Sequence, residues 1–181
     1  EALGRLLRAN LSAGEEQIRL SQELDMLDSY LYIQNTAKKG VLHLVKEISE
    51  PDVLEYLVPK FLLQPVVENA IVHGLVQNPL SGTITLSIQA VGHTLHLIVS
   101  DTGQGMTLDT LDALRHRIRA VEPPRTDGKH GFGLWSTAAR LRLQYDDKAD
   151  ISIDSQEGQG TTVHIWLPVQ RERRTQDAKQ G

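Results

Sequence analysis

His96-Leu97-Ile98-Val99-Ser100 runs directly into Asp101-Thr102-Gly103-Gln104-Gly105-Met106. A mostly apolar run that ends in an acid and two closely spaced glycines reads as a strand stopping in a sharp turn. Gly103 and Gly105 are expected to take positive φ and to let something approach the main chain. Asp101 sits where the strand stops, and its ionised carboxylate is a pure hydrogen-bond acceptor. An acceptor beside a glycine-walled pocket suits a planar ligand carrying an amino group, such as adenine. The same six residues also fit a plain turn closed by an Asx-type hydrogen bond.

Outward from this turn the pattern stays informative on both sides. Upstream, Thr83–Ala90 and Thr94–Ser100 alternate around Gly92-His93, which predicts an antiparallel hairpin. Downstream lies a long segment, Thr107–His130. Its first half, Leu108–Ile118, reads as a helix. Its second half holds Glu122-Pro123-Pro124-Arg125-Thr126-Asp127-Gly128 and reads as mobile. A loop of that length in a compact domain is usually functional. It ends at Lys129-His130-Gly131-Phe132-Gly133-Leu134, before a helix over Leu134–Tyr145 with Ala138, Leu141 and Tyr145 on one stripe. Glycines at a helix start let phosphates reach free N–H groups and the positive end of the helix dipole. A flexible entry to the helix is the plainer alternative. Ile151–Asp154 and Thr161–Leu167 then read as a closing hairpin across Glu157-Gly158-Gln159-Gly160.

A second informative stretch is Pro59–Gly74, PKFLLQPVVENAIVHG, apolar almost all round and so expected to be a buried helix. Asn69 and His73 are four apart and share a face. A buried amide costs stability unless its hydrogen bonds are met. Asn69 is read either as a satisfied core amide or as an oxygen ligand for a hard cation such as Mg²⁺, which usually arrives with substrate phosphates.

Farther out, Leu3, Leu6, Leu7 and Leu11 repeat at helical spacing, and Ser12-Ala13-Gly14-Glu15 interrupts them. Leu20, Leu24, Leu27 and Leu31 make another stripe, with Glu23, Asp25 and Asp28 elsewhere on that helix. Lys38-Lys39-Gly40 is a helix stop, and Val41–Ile48 is strand-like. Gln170–Gly181 is polar and is expected to be disordered. The 181 residues, 40% hydrophobic and 23% charged, suit one soluble domain or one domain with an appendage. A net charge of −4 gives no reason to expect nucleic acid. No cysteine is present, so disulfides and thiolate metal sites are excluded. No apolar run approaches the ~20 residues of a membrane helix. The chain starts at Glu1 and is read as a fragment of something longer.

Four stretches thus occur in one order: Glu68-Asn69-Ala70-Ile71-Val72-His73-Gly74, Asp101–Met106, Gly131-Phe132-Gly133-Leu134, and Gly158-Gln159-Gly160-Thr161-Thr162. Together they resemble the ATP-binding kinase domain of bacterial sensor histidine kinases, whose fold is shared with gyrase, Hsp90 and MutL. The Q-P-x-V-E-N-A-x-x-H-G pattern is similar to that of the LytS/YesM-type branch. The resemblance spans about Leu20–Val169. It implies an α/β (α+β) two-layer sandwich, a mixed sheet packed on one layer of helices, with ATP between helices and lid. It implies Mg²⁺ on Asn69, with Glu68 and His73 beside the phosphates as catalytic groups. It implies an adenine pocket at Asp101, Gly103, Gly105 and Met106, with Thr162 near the base. Thr107–His130 becomes the ATP lid, and Lys129, His130, Gly131, Phe132, Gly133 and Leu134 contact the nucleotide.

The same resemblance divides the chain into residues 1–38, the end of a dimerisation and phosphoacceptor region with its connecting helix, a catalytic domain over 39–169, and a tail over 170–181. It implies a phosphoacceptor helix in the same protein or its dimer mate, a response regulator as partner, a homodimer, and a cytoplasmic position in a protein of the bacterial inner membrane. The sequence departs from the family in two places. No histidine stands in an N-P-H-F-x-F-N context, so the acceptor is expected upstream, with Glu1–Leu11 the end of the second hairpin helix. Val72 occupies a position where many relatives have Lys, a contact either missing or supplied by Lys129. His43 and His164 fall in strands and read as packing residues. Three other readings compete. One is an ATP hydrolase or serine kinase of this fold, which needs a Glu where Pro65 stands. Another is an ATP-binding module without catalysis. The last is an aspartic protease built on Asp101-Thr102-Gly103.

Overall fold

Alternation along the strands decides the layers. In β5, Thr94–Asp101, every second residue is buried: Leu95, Leu97, Val99 and Asp101. The same period runs through β4, Ser81–Val91, as Ile84, Leu86 and Ile88, and through β7, Gly160–Pro168, as Thr161, Val163, Ile165 and Leu167. A period of two with one buried face is the signature of a sheet covered on one side only. The computed structural model describes residues 17–38, 41–74, 81–120 and 132–171, without the side chains of Ala37, Lys38, Val41, His73, Ser81 and Phe132. With β2, Val41–Ile48, and β6, Asp150–Gln156, these strands form a five-stranded sheet in the order β2-β4-β5-β7-β6. β2 pairs parallel to β4 and the other neighbours are antiparallel, so the sheet is mixed.

Helices cover the buried face. These are α1, Leu20–Lys38, α2, Gln64–Asn69, α3, Leu108–Arg119, and α4, Phe132–Tyr145. The expected stripes are the ones that pack: Leu20, Leu24, Leu27 and Leu31 from α1, and Ala138, Leu141 and Tyr145 from α4. The helix expected over Leu108–Ile118 is α3, started by a Thr107 cap and buried at Leu111, Leu114 and Ile118. A small pair, β1 (Gln17–Arg19) with β3 (Leu57–Pro59), was hidden in the sequence.

Four features depart from, or add to, the reading of the sequence. First, Pro59–Gly74 is not one helix. Pro59 ends β3, Lys60–Leu63 is a turn, α2 begins at Gln64, and Ala70–Gly74 is a π turn. Proline fits the first turn of a helix because its missing N–H is an orphan there in any case, and Phe61 at φ 58° interrupts helical backbone. Second, Glu23 is not on an outer face. It is 1% exposed, and its carboxylate accepts from the N–H groups of Phe61 and Leu63. Third, the apolar stripe of α1 belongs to the same buried cluster as the sheet. Fourth, the tail begins tied down: the Gln170 carbonyl accepts from Leu57 N–H, and Arg171 donates to the Tyr56 hydroxyl. Expectations for residues 1–16 and 172–181 lie outside the described residues.

Candidate functional site

The end of β5 carries the buried acid. Asp101 is 7% exposed and points to the helix-covered side, in register with Thr161 of β7. Its Oδ1 accepts from Gly103 N–H at 2.8 Å, which closes an Asx-type turn. Asp101 thus closes the turn, as the plainer reading of the sequence has it, and is buried while doing so. Burial pushes its pKa above the ordinary carboxylate value, opposed by hydrogen bonds from Gly103 and Thr161 N–H. A desolvated acceptor of this kind favours a ligand that brings its own donor.

The glycines work differently from the expectation. Gly105 has φ +64°, and a Cβ there would lie 1.9 Å from the Gln156 carbonyl oxygen. Gly160 has φ +88°, and its Cβ would lie 1.9 Å from the Asp101 carbonyl oxygen. What approaches the main chain is therefore the β6–β7 turn, further fixed by Gly158 N–H donating to the Gln104 carbonyl. Gly103 is not among the positive-φ residues and is held by its bond to Asp101. Met106 follows, partly buried against the core.

Register also corrects Thr162. It pairs with Ser100, and the two hydroxyls lie 3.0 Å apart on the open face of the sheet. Thr161, 5% exposed, is the residue on Asp101's side. The inward apolar series Val163, Ile165 and Leu167 predicts this, since a shift of one residue exchanges the faces.

Across from Asp101, the π turn packs against β5 and β7. Asn69 is the last residue of α2, immediately before that turn, and is partly exposed. Among the described residues its side chain has no hydrogen-bond partner, so the satisfied core amide is not what is found. Single π turns are common at functional sites. Glu68 is exposed, and after burial its charge is the second cause that raises the Tyr30 hydroxyl to about 12. His73 lies in the π turn, but its side chain is outside the described residues. Val72 is 41% exposed. Among the described residues no three His, Asp or Glu side chains form a metal cluster. Asn69 offers one oxygen, a donor set that fits Mg²⁺ only when a ligand such as phosphate supplies most of the others.

α4 enters beside this turn. A Cβ on Gly133 would lie 3.3 Å from Pro65 Cβ, so the glycine lets α4 close on α2. Leu134 is buried. Lys129, His130 and Gly131 lie outside the described residues, as does the side chain of Phe132. The first half of the expected lid, Thr107–His130, is the helix α3, as its pattern predicts, and residues 121–131 lie outside the described residues. α3 is docked by its buried leucines and by Arg115, which donates to the Ile153 carbonyl and the Asp154 carboxylate. Trp135 Nε1 donates to the Ala120 carbonyl and Arg142 to that of Ile118, holding the end of α3.

Comparison with known proteins agrees with this architecture. The family model described as "Histidine kinase-, DNA gyrase B-, and HSP90-like ATPase" matches residues 59–171. An uncharacterized sensor-like histidine kinase of Staphylococcus epidermidis is 31% identical over 169 residues, covering 93% of this chain and 32% of its own. The sensor protein kinase HptS of Staphylococcus aureus is 31% identical over 171 residues, covering 94% and 32%. The chain thus spans about a third of the length of these relatives. Among solved structures, the catalytic domain of histidine kinase ThkA aligns with TM-score 0.59 at 14% identity, covering 84% of this chain and 93% of that one. Full-length ShkA, in complex with AMPPNP, aligns with TM-score 0.58 at 20% identity, covering 94% and 35%. At these identities the structural likeness shows the fold.

Proposed function

The chain belongs to the histidine kinase-, DNA gyrase B- and HSP90-like ATPase family, and we propose that it is the ATP-binding kinase domain of a two-component sensor histidine kinase. The observation that carries the nucleotide reading is Asp101, a buried acceptor on the helix side of the sheet, opposite the amide of Asn69, which has no hydrogen-bond partner among the described residues. Asp101 accepts from the adenine N6 amino group and rejects guanine, whose carbonyl faces it acceptor to acceptor. Thr161 lies beside the base. Asn69 contributes an oxygen to Mg²⁺, and the bound ion neutralises phosphate charge. Glu68 and His73 stand on the phosphate side of α2. The segment from Lys129 through Leu134 covers the phosphates. The solved relative bound to AMPPNP and the relatives named as sensor kinases support this reading.

The γ-phosphoryl group passes to a histidine upstream in the same protein or its dimer mate, and from there to a response-regulator aspartate. The whole protein is a homodimer of the bacterial inner membrane, with this domain in the cytoplasm. Nucleic acid has no part in the scheme. Pro65 argues against a hydrolase, because it packs on Gly133 and carries no base.

Titration with ATP and ADP, with and without Mg²⁺, tests the reading. A ligand at a hundred times its Kd adds about 2.7 kcal/mol to folding stability, so the melting temperature rises. Asp101→Asn is expected to weaken ATP binding roughly tenfold or more, the cost of one mismatched buried polar contact (~1–3 kcal/mol), with the fold retained. A parent chain with no shift at several millimolar MgATP would refute the proposal.

A further inference from the structure

Four residues before α2, the backbone is held in a way that packing alone does not require. Lys60–Leu63 links β3 to α2. Phe61 in this turn has φ 58°, a left-handed conformation that a bulky residue rarely adopts. Such an outlier persists only where its surroundings over-determine it. Here both peptide groups of Phe61 are captured. Its N–H donates to Glu23 Oε2 at 2.9 Å, and its carbonyl accepts from Arg140 Nη2 at 2.9 Å. The neighbours are taken by the same two side chains. Leu63 N–H donates to Glu23 Oε1 at 2.8 Å, and the Lys60 carbonyl accepts from Arg140 Nη1 at 2.7 Å.

One carboxylate from α1 and one guanidinium from α4 thus grip a single turn from its donor side and its acceptor side. Burial raises the pKa of Glu23 and lowers that of Arg140, and each is partly offset by the charge of the other. Arg140 Nε is left buried with no partner. Apolar side chains of equal volume fill such space at less cost. What they cannot do is fix the direction of three consecutive peptide groups. The consequence falls on α2. Leu63, its N-cap, receives no side-chain cap from its own neighbours, and the helix then runs only six residues to Asn69. A change in the turn therefore reaches Asn69 through less than two helical turns. It also reaches Pro65, which lies where a Cβ on Gly133 of α4 would meet it at 3.3 Å.

We propose that Glu23 and Arg140 are positioning residues for Asn69. Acting through the Lys60–Leu63 turn, they set the amide for cation-assisted nucleotide binding and make the site depend on how α1 is seated. This rests on the nucleotide reading above.

The test compares the parent chain with Arg140→Lys and Glu23→Gln. Lysine keeps the charge, but its single ammonium cannot bridge two carbonyls as the planar fork does. Kd for ATP is measured with excess Mg²⁺ and again with chelator, well below each melting temperature. The proposal predicts at least a tenfold loss of affinity in Mg²⁺ and less than a twofold loss without it. A clamp that only stabilises the fold lowers the melting temperature and leaves the gain from Mg²⁺ unchanged, and that result overturns the proposal. Equal loss with and without Mg²⁺ also overturns it. Should Arg140→Lys fail to fold, Glu23→Gln, which keeps shape and one acceptor oxygen, is read by the same criterion. A parent that binds ATP in neither condition overturns the nucleotide reading and this proposal together. A parent that gains from Mg²⁺ beside a variant that gains as much overturns this proposal alone.

Discussion

The two faces of the sheet each carry a polar network, built from opposite materials. On the covered face the network is charged and sparse: Glu23 and Arg140 meet two N–H and two C=O groups of one turn. On the open face it is extended and partly exposed, with two imidazole rings between an amide and a carboxylate. Gln89 Nε2 lies 3.1 Å from His96 Nδ1, His96 Nε2 lies 3.2 Å from His164 Nδ1, and His164 Nε2 lies 3.6 Å from Asp154. Trp166 stacks on His96 at 4.7 Å and on His164 at 5.5 Å. The contrast follows from solvent. A buried charge must have its partners supplied by the protein, and losing one partner leaves an uncompensated charge or orphaned N–H groups. A half-exposed ladder can exchange any lost partner for water. Polar groups on the covered face should therefore be costly to remove, and those on the open face cheap.

The largest expected effect breaks the covered side. Glu23→Ala leaves Phe61 and Leu63 N–H without acceptors and Arg140 without its counter-charge, a loss of roughly 3–5 kcal/mol. Glu23→Leu with Arg140→Met removes both charges at once. By the same principle the double variant should be more stable than Glu23→Ala, and denaturant unfolding measures both. If the two losses simply add, Glu23 and Arg140 do not act as one unit.

Next comes the seam between the faces. Gly160→Ala places a methyl 1.9 Å from the Asp101 carbonyl at φ +88°. Backbone strain and overpacking each cost about 1–3 kcal/mol, so a loss near 3 kcal/mol is expected. Gly158→Ala, at φ +78° but with open space around its Cβ, separates the two terms. A Gly158 loss as large as that at Gly160 would mean that strain alone decides. On the open face, His164→Thr keeps a good strand former and should cost less than about 1 kcal/mol.

The same division governs what the sequence discloses. The open and covered faces of β4, β5 and β7 were legible because alternation is local. So were the Asp101 turn and the stripe of α4. Glu23 was not, because its bonds reach across 38 and 40 residues, and helical period alone placed it with Asp25 and Asp28. The positive φ of Phe61 has no local signature either, since no glycine or asparagine marks it. That Thr161, and not Thr162, shares the face of Asp101 was within reach of the same alternation. At the candidate site, the order of Asn69, Asp101 and Gly133 was visible in the sequence. The use of Gly105 to admit the Gln156 carbonyl and of Gly160 to admit that of Asp101 was not, because it depends on two turns brought together in space.

The smallest expected effect tests whether the open ladder contributes anything as a unit. With Gln89 Nε2 as donor, His96 Nδ1 must accept, so its proton sits on Nε2 and points at His164 Nδ1. Each ring then has one donor and one acceptor only while neutral. Burial first, and the His164 ring second, lower the pKa of His96 in the folded chain. In the unfolded chain the ring takes its proton near its ordinary value, about 6.5. Below that pH the unfolded state binds more protons than the folded one, so stability falls as pH falls. The contribution is complete above about pH 6.5 and is lost as pH drops through the lowered value of the fold. His96→Gln keeps a polar side chain at the position and removes the titration. Its melting temperature should decline less than the parent's between about pH 7 and 5, with both curves meeting the same plateau slope above. Parallel curves over that range would show that water, rather than the Gln89–His96–His164 chain, already satisfies these rings.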